Sequence, residues 1–212
     1  MISTIFFDIG NVLCTFDHQR IWQHLQPFST LSSEELQANI HDSGLMNRHE
    51  SGELPPHEFF CQVQRQGKLL PCLSYEHFTR LWAEIFCAQG PVFQLAKDLQ
   101  KHYRVGLLSN IGEIHWTWLC EHFPFFSQVE EDLRVLSFEC GCMKPAEAIY
   151  QQALKRAQEK AEHCVYIDDI PEYAARSRQL GINAICYHSY EQLLGELAAS
   201  GVRRQDAESD KR

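Results

Sequence analysis

The chain has no stretch approaching the roughly 20 consecutive apolar residues that a bilayer span requires, so no transmembrane helix is expected. Its first residues, MISTIFFDIGN, carry no basic leader, long apolar run or small-residue cleavage site, which predicts no secretory signal. Clustered cations are lacking too: 19 Lys and Arg stand against 28 Asp and Glu, a formal net charge of −9. That balance argues against a nucleic-acid or anionic-membrane partner, because both need clustered Lys and Arg to neutralise phosphates. A small anion held by one or two local cations remains open. Paired CxxC spacing is also absent among the nine scattered cysteines. An odd, scattered set fits reduced thiols in a cytoplasmic protein better than a disulfide framework. The tightest pair, Cys140 and Cys142, reads as ordinary loop and core thiols. Internal repeats and low-complexity tracts are missing as well.

What is present suffices for one sizeable α/β core with a modest insertion: 212 residues, of which 44% are hydrophobic. From residue 104 onward short apolar runs alternate with helical patterns. RVGLLSN, RVLSF, HCVYIDD and NAICY are strand candidates. EIHWTWLCEHF, AEAIYQQALKRAQ, PEYAARSRQLG and YEQLLGELAAS are helix candidates. Apolar strands separated by helices imply right-handed crossovers and a parallel sheet covered on both faces. The expected fold class is therefore α/β, a doubly wound parallel sheet.

Residues 15–88 differ. DHQRIWQHLQPF, SSEELQANIHD, PPHEFFCQVQRQG and SYEHFTRLWAEIF are helical patterns with Ser, Asp or Pro near their starts, and no strand is expected among them. This segment is expected to be a small α-helical cap inserted into a core formed by residues 1–14 and 89–200. The helix PVFQLAKDLQKHY returns the chain to that core. Residues 201–212 are charged and nearly free of aliphatic side chains, the composition of a disordered tail. The aromatics Trp22, Phe59, Phe60, Phe78, Trp82 and Phe86 are expected to pack the cap.

In a doubly wound sheet ligands bind beyond the carboxyl ends of the strands, where strand order reverses. Four such ends or following loops carry chemistry: Asp8 in FFDIGNVL, Ser109 with Asn110, Lys144, and Asp168 with Asp169. A hydroxyl and an amide can bond phosphate oxygens, and a lysine can neutralise them. Three carboxylates can hold Mg²⁺ in an all-oxygen shell. The set points to phosphoryl transfer on a small phosphorylated metabolite. Bland readings exist for each residue. Ser109 could cap the helix that follows, whereas a cation at a helix start such as Lys144, or adjacent acids such as Asp168 and Asp169, are poorly explained without an oppositely charged partner.

The segments FFDIGNVL, LLSN, GCMKPAEAIY and VYIDD resemble, in order, the four motifs of the haloacid dehalogenase-like (HAD) hydrolase superfamily, and together span residues 6–169. The resemblance implies Mg²⁺ as cofactor and Asp8 as a nucleophile that forms an aspartyl-phosphate, later hydrolysed by water. It implies metal ligation by Asp8, the backbone carbonyl of Gly10, Asp169 and, through water, Asp168. Ser109 and Lys144 would stabilise the transferring oxygens, with Asn110 beside them on the phosphate. The expected assembly is a monomer or homodimer.

One position departs from the superfamily's pattern. Most of its phosphatases have Asp where this chain has Gly10, and that residue serves as general acid and base, worth roughly 10²- to 10⁴-fold in rate. Three explanations compete. Another acid or imidazole could substitute, from Asp17, His18, His49 or Glu50. The leaving group could need little help, as in an acyl or anomeric phosphate. Or turnover could be lost, leaving a silent binder of a phospho-ligand or protein. A first motif of the form D-[LI]-G-N-V, followed by a helical cap and LSN, resembles the bacterial subgroup containing α-D-glucose-1-phosphate phosphatase, which favours a live Asp8 and a sugar 1-phosphate. The superfamily's 2-haloacid dehalogenases also lack this acid, but they lose the metal-binding acids that Asp168 and Asp169 retain. Met46, Arg48 and His49, in the loop-like stretch SGLMNRHESGE, are candidates to face the leaving group. His115, with Trp116 and Trp118, is expected on helix surface or in the core, at the reach of the site mouth.

Overall fold

The computed structural model describes residues 1–203. Its main sheet has five strands, β1 (Thr4–Phe7), β4 (Arg104–Ser109), β5 (Arg134–Leu136), β6 (Cys164–Asp168) and β7 (Asn183–Cys186), in the order β5-β4-β1-β6-β7. All four pairings are parallel, with Ile5 opposite both Val105 and Val165. Every residue of β1 and β6 is buried, as expected of central parallel strands covered on both faces. From β1 the chain builds β4 and β5 to one side, then crosses to build β6 and β7 on the other. The reversal falls beside β1, so the crevice opens at its carboxyl end.

Two further strands, β2 (Cys14–Phe16) and β3 (Phe86–Ala88), form an antiparallel ribbon with Phe16 opposite Phe86. This ribbon corrects the expectation of an insertion without strands. Each strand has three residues, too few to show a period, and the pairing joins positions about 70 apart, as in the Thr15 hydroxyl donating to the Cys87 carbonyl. Between these strands lie α1 (Gln19–Leu25), α2 (Ser33–His41), α3 (Leu45–Glu50), α4 (Pro56–Gln66) and α5 (Tyr75–Ala83). Ser32 and Glu35 close a reciprocal capping box at the start of α2, and Ser74 caps α5. Helix α3 corrects the loop-like reading of residues 43–53. It is short, bracketed by Gly44 and Gly52 at φ 73° and 76°, and held by burying Leu45, Met46 and His49 rather than by helix propensity.

The insertion has its own apolar cluster, in which Trp82 meets Trp22 edge-on at 5.9 Å and Phe59 edge-on at 4.8 Å. Such pairs contribute about 0.5–1.5 kcal/mol each beyond area burial. The rest of the chain supplies α6 (Gly90–Leu99), α7 (Glu113–His122), α8 (Pro124–Gln128), α9 (Ser137–Cys140), α10 (Glu147–Ala157), α11 (Pro171–Gln179) and α12 (Tyr190–Ala199). Of these α6 packs on β4, α10 on β5, α11 on β6 and β7, and α12 on β7. RVLSF is a strand only to Leu136, since Ser137 and Phe138 open α9. Of the segment 201–212, Val202 is buried in the core, and 204–212 lie outside the described residues. All nine cysteines are free thiols. Among the described residues no helix is long and apolar enough to cross a membrane.

Candidate active site

At the end of β1 the Asp8 amide donates to the Ile167 carbonyl at 2.9 Å, tying the β1 and β6 ends together. Lys144 reaches between them, its Nζ 2.9 Å from Asp8 Oδ1 and 2.6 Å from Asp168 Oδ2. Asp8, Lys144 and Asp168 are 6%, 4% and 0% exposed, so the ion pairs stand where water screens them little. One ligand atom from each of Asp8, Asp168 and Asp169 can be chosen so that all lie within 4.8 Å of one another. One lysine leaves this acid cluster undercompensated, and its hard oxygen donors suit Mg²⁺.

The three acids are not equivalent. Asp168 has both oxygens engaged, Oδ2 by Lys144 and the Tyr166 hydroxyl, and Oδ1 by the Ile170 amide at 2.8 Å. It lies beneath the cleft, whereas Asp8 and Asp169 line it. Asp169 accepts a bond from Asn11 Nδ2 at 3.1 Å, and Asn11 is held left-handed at φ 53°, a conformation Asn tolerates. Tyr166 had a sequence signal that went unused: two residues before Asp168 on a strand, it shares that acid's face.

Ser109 ends β4, 2% exposed, against the same cleft. It does not cap α7, whose N-cap residue is Gly112. The Asn110 side chain is spent on the lysine loop: its Nδ2 donates to the Lys144 carbonyl at 3.0 Å and its Oδ1 accepts from the Lys144 amide at 2.8 Å. Both polar ends of its side chain are thus bonded to the lysine's backbone, while the residue itself lines both chambers of the site.

The cleft is a cavity of about 240 Å³ lined by Asp8, Gly10, Ser109, Lys144, Asp169 and Glu50, among others. A second chamber of about 150 Å³ adjoins it, sharing Gly10, Phe16, Glu50, Ser109 and Asn110 and adding His18, Phe86 and His115. The Phe16 ring crowds Gly10: a Cβ there would stand 2.7 Å from Cε1 of Phe16, so a side chain at this position requires that ring to move.

Of the cap residues expected to face the site, His18 lines the smaller chamber and Glu50 lines both. Asp17 Oδ1 instead accepts from the Gln19 amide at 2.9 Å, serving the start of α1. Arg48 is half-exposed and pairs with Glu53 at 2.7 Å. His49 is buried, stacked 4.4 Å from Phe59, with Nδ1 bonded to the Leu54 carbonyl at 2.9 Å. Met46 also packs in the cap cluster. A six-residue helix turns its successive side chains in different directions, and α3 aims Glu50 at the cleft while sending His49 into the cap.

Burial dominates the electrostatics. It pushes Asp8 up to about 6, reinforced by Asp168 and opposed by Lys144 and Ser109. Burial alone takes Glu50 to about 7. Lys144 is drawn down by burial, but Asp8 and Asp168 outweigh this and hold it above the ordinary lysine value. His115 is 5% exposed and is pushed down to about 3 by burial, with His18 and His49 acting the same way.

The last shift gives a stability prediction. The folded value of His115 lies below the ordinary 6.5, so its contribution is complete above that pH and is lost as pH falls toward the folded value. Between pH 6 and 5 the unfolding free energy of the wild type should fall more steeply than that of His115→Gln, by about 1.4 kcal/mol per pH unit. Urea unfolding at the two pH values measures the slopes, and equal slopes would mean that this imidazole charges in the fold at no cost.

A parallel sheet that gathers a buried acid, a hydroxyl, a lysine and an acid pair at its carboxyl edge, beneath a helical insertion, has the architecture of the HAD-like hydrolases. The comparisons agree. The chain is 26% identical over 189 residues to the D-ribitol-5-phosphate phosphatase of Bacteroides thetaiotaomicron, covering 85% of this chain and 89% of that protein. A HAD-family enzyme of Bacteroides thetaiotaomicron, solved with magnesium and inorganic phosphate, superposes with a TM-score of 0.78 at 23% identity, over 91% of this chain and 99% of that one. A HAD-like hydrolase from Porphyromonas gingivalis gives 0.77 at 22% identity, over 94% and 97%. The 2-haloacid dehalogenase of Pseudomonas syringae pv. Tomato gives 0.60 at 18%, over 94% and 99%. No protein-family model matches the chain. The chain thus shares the fold of these HAD-family proteins and is similar in sequence to a curated phosphatase.

Proposed function

We propose that the protein is a Mg²⁺-dependent phosphatase of a small phosphorylated metabolite, a sugar or polyol phosphate, working through an aspartyl-phosphate on Asp8. The observation that carries this reading is Lys144 held between Asp8 and Asp168, with Asp169 alongside, at the floor of an open cleft. A haloacid needs no such cluster of hard oxygen donors. Asp8 and Asp169, which line the cavity, would hold the metal with the Gly10 carbonyl, and Asp168 would hold Lys144. When bound, Mg²⁺ supplies positive charge that offsets the phosphate's own and that of the acids.

The protein's own groups then have distinct tasks. Asp8 is kept rigid by its backbone bond to Ile167 and presents a carboxylate oxygen to phosphorus. Lys144 and Ser109 neutralise and bond the transferring oxygens, already oriented before substrate arrives, which is where such groups are most effective. The phosphate occupies the larger cavity and the leaving group extends toward the smaller chamber. The small size of that chamber favours a short leaving group. The ribitol phosphate phosphatase relative supports a polyol phosphate, and the D-[LI]-G-N-V resemblance supports a sugar 1-phosphate. The intact acid pair and the lysine held against Asp8 favour turnover over silent binding, in the cytoplasm.

The test is phosphate release from polyol 5-phosphates, sugar 1-phosphates and acyl phosphates with Mg²⁺ or with EDTA. Release that requires Mg²⁺ is expected. Halide release from 2-haloacids that ignores EDTA would replace this reading with dehalogenation, and binding of phosphate without turnover on any substrate would replace it with a silent binder.

A further inference from the structure

We infer that Glu50, delivered from the cap by α3, is the general acid and base of the phosphatase reaction, supplying from outside the first motif the proton transfer that Gly10 cannot. The inference rests on the phosphatase reading above and assigns the missing step within it.

Elimination by position comes first. Among the described residues that line the two chambers, the carboxylates are Asp8, Asp169 and Glu50. Asp8 is committed to phosphorus, and Asp169 lies in the acid cluster, bonded by Asn11. Of these three carboxylates only Glu50 lines both chambers, so it stands at the boundary between phosphate and leaving group, where the bridging oxygen must lie. The place of a side chain on residue 10 is taken by the ring of Phe16.

Glu50 is held there by the core. The Ser137 hydroxyl donates to the Glu50 carbonyl at 2.6 Å and accepts from the Ile111 amide at 2.9 Å. That links the end of α3 to the loop that follows Ser109. Two close approaches reinforce the link. A Cβ on Gly52 would lie 2.1 Å from the Phe138 carbonyl oxygen, and one on Gly112 would lie 2.6 Å from the His49 ring. The backbone of Glu50 is therefore fixed against the catalytic loops, while its carboxyl has no hydrogen-bond or ion-pair partner among the described residues. Glu50 is part-buried and its unpartnered carboxyl borders both chambers, which leaves it free to meet the reacting oxygen. Around it stand Asp8, Lys144 and Asp169 in one chamber and His18 and His115 in the other. Burial holds its carboxyl up at about 7, so both protonation states are accessible near neutrality. Of the two imidazoles, His115 is turned to the Trp82 carbonyl, with Nε2 at 3.3 Å.

The step balances as follows. Asp8 forms an oxygen–phosphorus bond as the bond from phosphorus to the leaving oxygen breaks, and the Glu50 proton passes to that oxygen to give the free alcohol. Water then attacks the aspartyl-phosphate. Its proton returns to the Glu50 carboxylate, the Asp8 oxygen–phosphorus bond breaks, and inorganic phosphate leaves.

The experiment compares kcat/KM of wild type and Glu50→Gln on ribitol 5-phosphate and on acetyl phosphate, because kcat/KM reports steps up to aspartyl-phosphate formation and acetate departs without a proton. The expected loss is about 10²- to 10⁴-fold on the alcohol ester and less than about tenfold on acetyl phosphate. Glu50→Asp, which keeps the acid on a stem shorter by one methylene, should fall between Gln and wild type on the ester. Equal losses on both substrates, or none on either, would overturn the assignment. The same ester-selective loss in His18→Gln, with Glu50→Gln unaffected, would transfer the role to His18. If the wild type turns over neither substrate nor any other phosphate, the phosphatase reading fails first and this one with it.

Discussion

Asp8→Asn should reduce Mg²⁺-dependent phosphate release by at least about 10⁴-fold, the order seen when a covalent nucleophile is removed from a site whose other groups remain. An amide oxygen of the same shape is a poor nucleophile, and no other carboxylate takes its place: Asp168 has both oxygens occupied below the cleft and Asp169 is bonded by Asn11. The fold should not suffer. Ionised Asp8 is a cost to the metal-free protein at alkaline pH, because burial raises its pKa to about 6, and a group raised in the fold loses its share of stability as pH rises through that value. The Asn variant should therefore have a Tm at pH 8 no lower than that of the wild type. Activity within about tenfold of wild type, in a variant of unchanged Tm, would remove Asp8 from the mechanism.

Lys144→Met should have the opposite balance, with stability lost as well as turnover. Lys144 is the cation between Asp8 and Asp168, and all three are nearly excluded from water. Removing one partner of a buried ion pair while the others stay costs about 3–5 kcal/mol, because charge is left in a medium that solvates it badly. Two features separate this cause from simple loss of packing. The penalty should shrink as pH falls from 8 to 5.5, since the orphaned carboxylates then take up protons. It should also shrink when Mg²⁺ is added at pH 8, since a divalent ion replaces the missing charge. Urea unfolding under these conditions measures both, and a penalty independent of pH and metal would mean that the lysine stem, not its charge, matters. Adding Asp8→Asn to Lys144→Met should recover part of the loss, because the two sites share one interaction.

Much of the architecture was legible because parallel strands buried on both faces must be nearly continuous apolar runs. FFDIG, RVGLLSN and CVYIDD break that rule abruptly, with a polar residue after several apolar ones, and each break falls at a carboxyl end of β1, β4 or β6. The capped helices of the insertion were legible from Ser32 and Ser74 for a similarly local reason. The β2–β3 ribbon was not, since three residues carry no period and the partner strand lies about 70 positions away. Nor was the bonding of the Asn110 side chain to the Lys144 backbone, 34 positions later, since residue type alone does not say which partner an amide takes.

The sequence by itself determined that an acid, a hydroxyl, a lysine and an acid pair lie at strand ends, or in the loops that follow them, of one doubly wound sheet, because strand burial is written in local hydrophobic pattern. Only the tertiary structure decided which cap residues reach them. Asp17, Arg48 and His49 are turned to other partners, Phe16 fills the space beside Gly10, and Glu50 is set over the cleft by a hydroxyl 87 positions away. The physical reason is that α3 has too little propensity to exist alone. Its position, and so the direction of each of its side chains, comes from contacts with Ser137, Phe138 and Gly112 that no local pattern encodes.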